Sequence, residues 1–138
     1  MQSYYQSITI SSGGTGGAIS LAEAYSARRR SRRIRVDQTV RFRTVDSPVS
    51  IVGVVRNLSL GGVYIEAPLV PRTGQMLAVG FLVRRQDQQI LLHSMGEVVW
   101  SRGGPGHRGF GVRFVEPARA MLATISALIR DRCAGSGL

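Results

Sequence analysis

The residues best equipped for chemistry in this chain are arginines, and they are concentrated. Residues 28–35 hold six of them: Arg28, Arg29, Arg30, Arg32, Arg33 and Arg35. The short polar segment Asn57-Leu58-Ser59-Leu60-Gly61-Gly62 follows between two apolar runs. A guanidinium offers two parallel donors that match phosphate oxygens or the Hoogsteen edge of guanine, and its plane stacks on bases. Asparagine, serine and glycine at a turn add donors, acceptors and close backbone approach. Together these residue types suggest a pocket for a ligand that carries both phosphates and guanines.

All 18 basic residues are arginine, against eight acidic ones, and the net charge of +10 favours anionic partners. Taken alone, the arginine run reads equally well as a basic arm that binds RNA or DNA backbones through counterion release. Any run this rich in arginine also contains several RxxxR spacings, for instance Arg28 to Arg32.

Other candidate chemistries find little support. Cys133 is the single cysteine, so an internal disulfide is excluded and a structural or incidental role is expected. His93 and His107 lack metal-ligand spacing with Cys133 or a carboxylate, so no metal site is expected. Ser59 has no neighbouring base and no nucleophile-elbow motif, and the glycine-rich turns at Gly13 and Gly103 lack a phosphate-cradling lysine. The expectation is therefore a binding protein without enzymatic activity and without a resident cofactor. Trp100 is expected in the core, and the strands are expected to lack paired exposed aromatics that could stack nucleic-acid bases.

The elements that must position these residues are mostly strands. Val40 and Phe42 alternate with Arg41 and Arg43, and Asp46-Ser47-Pro48 marks a turn. Val49 to Val55 is rich in β-branched residues, and Val63 and Ile65 alternate with Tyr64 and Glu66 after the polar segment. Met76 to Val83 is apolar on both faces, Arg84 to Gln89 forms a hairpin tip, and Ile90 to Ser101 alternates, with Ile90, Leu92, Val98 and Trp100 assigned to one face. Phe110, Val112 and Phe114 share a face in the last run. Six short strands with regular turn signals imply a small antiparallel barrel or sandwich.

Past Pro117, the residues Met121, Leu122, Ile125, Leu128 and Ile129 recur at helical spacing, with Arg130 and Arg132 placed to complement the helix dipole. This helix is expected to cover one mouth of the barrel, with a dimerisation face as the rival reading. Residues 1–27 read as a flexible tail, Ala18 to Ala27 as a short helix within it, and 134–138 as a disordered end. The arginine-rich arm is placed at 28–38, the β-barrel at 39–116 and the helix at 117–133. No apolar run approaches the ~20 residues that span a bilayer, and no basic segment leads into an apolar stretch at the start, so a cytoplasmic protein without membrane insertion is expected.

Arg29-Arg30-Ser31-Arg32-Arg33 followed by Asn57 to Gly62 resembles the two signatures of the PilZ domain, RxxxR and [DN]xSxxG, in order and separation. Val98-Val99-Trp100 and Gly109-Phe110-Gly111-Val112-Arg113-Phe114 are similar to the closing strands of that family. The resemblance implies a mainly β fold, a six-stranded antiparallel barrel with a C-terminal α-helix and a flexible N-terminal arm. It also implies a ligand, the bacterial second messenger cyclic di-GMP. Carried over by position, Arg29 and Arg33 would grip phosphate and guanine, Asn57 and Ser59 would hydrogen-bond a guanine edge, and Gly62 would let the ring approach the backbone. Arg28, just before the first signature, would stack on a second guanine, which points to an intercalated pair of nucleotides rather than one.

Six like charges repel and would keep a free arm extended, so a ligand with two phosphates would neutralise the arm and lay it across the barrel. The family's usual role as receptor or adaptor implies an unidentified downstream protein partner. Monomer and homodimer both stay open, and the paired motifs favour a dinucleotide over nucleic acid.

Overall fold

The alternation of apolar and polar residues is realised as strands because each strand has one face to bury and one to expose. The computed structural model describes residues 32–106 and 108–136. Six strands, β1 (Ile34–Thr44), β2 (Ile51–Leu58), β3 (Gly62–Glu66), β4 (Met76–Arg85), β5 (Gln88–Arg102) and β6 (Gly109–Val115), are followed by one helix, α1 (Arg119–Ser136). The strands close into an antiparallel barrel in the order β1-β2-β3-β6-β5-β4. Two three-stranded meanders, β1-β2-β3 and β4-β5-β6, are thus joined along two seams, β1 with β4 and β3 with β6. Closure gives every strand a hydrogen-bonded neighbour on both sides. The barrel expectation holds over the sandwich.

Inward-facing Val40, Phe42, Val55, Ile65, Leu77, Val79, Val98 and Phe110 are fully buried and form one apolar cluster. Phe42 and Phe110 meet edge to face with ring centroids 5.1 Å apart. Met121, Ile125 and Leu128 of α1 join the same cluster. Each such side chain contributes roughly 1.5–3 kcal/mol on burial. Most of the helical stripe is therefore packed against the barrel.

Side-chain bonds fix which mouth α1 covers. Asp131 accepts from Arg85 Nε at 2.9 Å, Arg132 Nη1 donates to the Arg35 carbonyl at 2.7 Å, and Arg32 Nη1 donates to Cys133 Sγ at 3.0 Å. The covered mouth is the one where β1 begins and β4 ends. Arg132 thus holds the incoming chain rather than the helix's own last carbonyls, because α1 runs on to Ser136, past the expected end at 133. The helix starts at Arg119, two residues after Pro117.

The expected tail and short helix at Ala18 to Ala27 lie outside the described residues. β1 begins at Ile34, so residues 34–38, assigned from sequence to the arm, already belong to the barrel. The reason is that pairing with β2 continues to Ile34 across a bulge. Ile34 pairs with Leu58 and Arg35 with Asn57, but the register shifts before Gln38 pairs with Val55. Asp37 takes a left-handed φ of 48° there, a conformation aspartate tolerates better than most residues.

Candidate functional site

The Asn57 to Gly62 segment forms because its ends pair and its middle bonds to itself. Ser59 N donates to the Gly62 carbonyl at 2.9 Å, and Gly61 N donates to Ser59 Oγ at 3.2 Å. The Ser59 hydroxyl donates in turn to the Gly62 carbonyl at 3.4 Å. Phe114 N donates to the Gly61 carbonyl at 2.9 Å, which ties the turn to β6. Ser59 is buried, and its hydroxyl bonds within the turn. Gly62 has an equally structural reason to be glycine, since a Cβ there would collide with the Val112 carbonyl.

Two further bulges aim side chains outward beside this turn. On β2 the register shifts between Val55 and Asn57, so Arg56 and Asn57 both face out before Leu58 returns to the core at 0% exposure. On β5 it shifts between Val98 and Trp100. Simple alternation would bury Trp100 behind Val98, but the bulge turns it out to 40% exposure, which overturns the expected core placement.

The outward Trp100 stacks on Tyr64, with centroids 5.3 Å apart and planes 17° from parallel. Both rings use glycine gaps on β6: a Cβ at Gly109 would strike Tyr64 and one at Gly111 would strike the indole nitrogen of Trp100. This corrects a second expectation, because the strands do carry a paired, accessible aromatic surface. The glycine alternation Gly109-Phe110-Gly111 next to Tyr64 and Trp100 was the sequence signal available for it.

These features enclose an open pocket of about 520 Å³ lined by Arg33, Asn57, Leu58, Ser59, Gly62, Val63, Tyr64, Val99, Trp100, Gly111, Val112 and Arg113. The volume lies within the range of small-molecule sites. The structure therefore brings together Arg33, Asn57, Ser59 and Gly62 from the two sequence signatures, and adds Tyr64 and Trp100. Arg28 and Arg29 lie outside the described residues.

The electrostatics around the pocket are uneven. Arg113 pairs with Glu97 across β5 and β6. Arg56 Nε meets Glu66 Oε1 at 2.8 Å, Arg56 Nη1 meets Asp37 Oδ1 at 3.0 Å, and Arg35 Nε meets Asp37 Oδ2 at 2.8 Å. The hydrogen bonds from Arg35 and then Arg56 hold the Asp37 carboxyl below its usual range. Burial, and next the Glu66 charge, push the Tyr64 phenol up, so it stays a donor. Arg33 lines the pocket and has no acidic partner among the described residues.

Comparison with known proteins agrees with the barrel fold. The PilZ domain family model matches residues 27–131. The chain belongs to the PilZ family. Among solved structures, this PilZ protein is similar to the Bacillus subtilis inhibitor of motility MotI, with TM-score 0.69 and 16% identity, over 78% of this chain and 52% of that one. It is similar to the PilZ domain of Escherichia coli YcgR with c-di-GMP, with TM-score 0.56 and 16% identity, over 80% of this chain and 96% of that one. YcgR in complex with c-di-GMP gives TM-score 0.59 and 14% identity, over 79% of this chain and 47% of that one. The PilZ chain thus spans about half the length of MotI and of that YcgR chain. No curated protein sequence matches it. No helix among the described residues is long and apolar enough to cross a membrane.

Proposed function

We propose that this PilZ protein is a non-enzymatic receptor for cyclic di-GMP. The observation that supports it most is the convergence of Arg33, Asn57, Ser59 and Gly62 on one pocket beside an aromatic surface. YcgR, whose PilZ domain shares the fold, is a structure with c-di-GMP. In this reading Arg33, joined by Arg29, grips phosphate and guanine through its planar fork. Asn57 faces the pocket mouth and hydrogen-bonds a guanine edge. Ser59 and Gly62 contribute by holding the turn, and through it Asn57, in place. Trp100 offers its ring to a base, an interaction of about 1–3 kcal/mol.

Arg28 stacks on a second guanine, so that the ligand binds as an intercalated pair. Binding then draws the arginine-rich segment onto the barrel, and a partner protein reads the rearranged surface. Residues Arg32 and Arg35 already bond to α1, which gives the arm's root a fixed hinge point.

The Tyr64–Trp100 pair favours one second reading, a basic barrel that binds RNA or DNA backbones and stacks bases. Against it, Arg35, Arg56, Arg85 and Arg113 are each paired with a carboxylate, so the described barrel surface is less cationic than its arginine number suggests.

Isothermal titration with cyclic di-GMP, with GTP and cyclic di-AMP as controls, tests the proposal. Saturable heat for cyclic di-GMP alone, with two nucleotides per chain, is expected. Equal heats for all three, or none, contradict the receptor reading, and a single nucleotide per chain contradicts the pair.

A further inference from the structure

Outside the pocket lining, one set of side chains connects its two sides. It crosses the outer face of three strands: Asp37 at the β1 bulge, Arg56 at the β2 bulge and Glu66 on β3. Arg56 donates to both neighbours, through Nη1 to Asp37 and through Nε to Glu66. Glu66 is also divided, with Oε1 on Arg56 and Oε2 accepting from the Tyr64 hydroxyl at 3.2 Å. At one end the ladder holds Arg35, two residues from Arg33. At the other it holds Tyr64, which stacks on Trp100. Neither Arg56 nor Glu66 lines the pocket.

We propose that Arg56 and Glu66 are positioning residues for the cyclic dinucleotide site, coupling the entry of the arginine arm to the orientation of the Tyr64–Trp100 surface without touching the ligand. This inference rests on the receptor reading above.

The physical argument is one of preorganisation. A ring that must accept a base gains affinity when its plane is fixed beforehand. Tyr64 lies in the gap at Gly109, stacks on Trp100 and is oriented through its hydroxyl by Glu66. Arg56 holds one oxygen of Glu66 and so helps to orient the other, which accepts from Tyr64. Arg56 in turn is held by two carboxylates on different strands, which reduces its mobility. The β2 bulge is what allows it: with regular alternation Arg56 and Asn57 would point to opposite faces, and only one could serve the site. A single local irregularity thus supplies both a pocket residue and its support.

The sign of one substitution separates this role from simple charge. Glu66→Gln removes a negative charge near an anionic ligand, so through-space electrostatics alone would tighten binding. The positioning role requires the opposite, because the charge-assisted bond that holds Arg56 becomes a weaker neutral one. Titration calorimetry with cyclic di-GMP and near-ultraviolet circular dichroism of the Tyr64–Trp100 pair read both consequences, since Trp100 is the sole tryptophan. Glu66→Gln and Arg56→Met are each expected to weaken binding by about five- to tenfold and to alter the aromatic signal of the free protein. Arg56→Lys should restore part of both, as one ammonium cannot fork between two carboxylates.

The double variant should bind no worse than Arg56→Met, because both changes break one unit. Arg84→Met, an equal loss of charge on the exposed end of β4, should change neither readout. Melting temperatures identify any variant that fails to fold, and the milder Glu66→Gln and Arg56→Lys then carry the test. Tighter binding by Glu66→Gln, or an unchanged aromatic signal in both ladder variants, overturns the proposal. If the unsubstituted protein gives no heat with cyclic di-GMP, the receptor reading itself has failed, and the positioning role falls with it.

Discussion

Arg33 and Arg35 are two residues apart, yet the fold gives them different work. Arg33 lines the pocket with no acidic partner among the described residues, whereas Arg35 is tied to Asp37 and, through it, to Arg56 and Glu66. On the proposed reading one is a charge that meets the ligand; the other is balanced within a ladder of side chains. The contrast teaches that an arginine-rich stretch is not a uniform anionic trap. What a guanidinium can bind depends on which carboxylates the strand register has already placed beside it.

The most severe way to break this contrast is Gly62→Ala. It should disturb rim and ladder together, because the new methyl group meets the Val112 carbonyl where β3 joins β6. A stability loss on the order of 3 kcal/mol is expected, seen as a melting temperature lower by roughly ten degrees. A variant with unchanged melting would mean that the β3–β6 seam is looser than described.

Arg33→Lys comes next. It should weaken cyclic di-GMP binding by roughly tenfold or more at unchanged melting temperature, since an ammonium keeps the charge but loses the planar fork. Arg35→Lys should change affinity far less. Equal losses at the two positions, measured by calorimetry, would erase the distinction between rim and ladder.

Ser59→Ala sharpens the comparison by separating shape from contact. Its hydroxyl bonds within the turn, so about 1–2 kcal/mol of stability should be lost, with affinity falling only as the turn loosens. A large affinity loss at unchanged melting temperature would instead assign the hydroxyl to the ligand.

The smallest effect concerns pH and a site away from both arginine sets. Burial holds the His93 imidazole below its ordinary value of 6.5, so in that range the unfolded chain binds more protons than the folded one. Stability then rises with pH, and acidification from about pH 7.5 to 5.5 should lower the melting temperature slightly. His93→Gln should flatten that slope without altering affinity; an unchanged slope would remove His93 from the account.

Much of the barrel could be read from the chain. Val40 with Phe42, Val63 with Ile65, and Phe110 with Val112 and Phe114 follow the period of two that a half-buried strand imposes, and α1 follows its stripe. What escaped were the bulges. One extra residue at Asp37, Arg56 or Val99 changes which face the next side chain takes, and no local preference announces it. Trp100 was misplaced for that reason, and the strand start at Ile34 was hidden behind five arginines that look like an unstructured arm. Arg33, Asn57, Ser59 and Gly62 were legible as a group because the signatures fix their spacing. The acidic partners that divide the arginines were not, since Asp37, Arg56 and Glu66 meet only through cross-strand register.

The central claim is that a cyclic dinucleotide enters the pocket between Arg33 and Trp100. Titrating cyclic di-GMP while following the emission of the lone tryptophan, at 50 and at 200 mM salt, addresses it most directly. A saturable change in emission is expected at both, with affinity falling far less than the roughly thousandfold of a binder that makes six or more backbone phosphate contacts. Saturable heat without any change at Trp100, or a loss of that thousandfold size, would contradict the account.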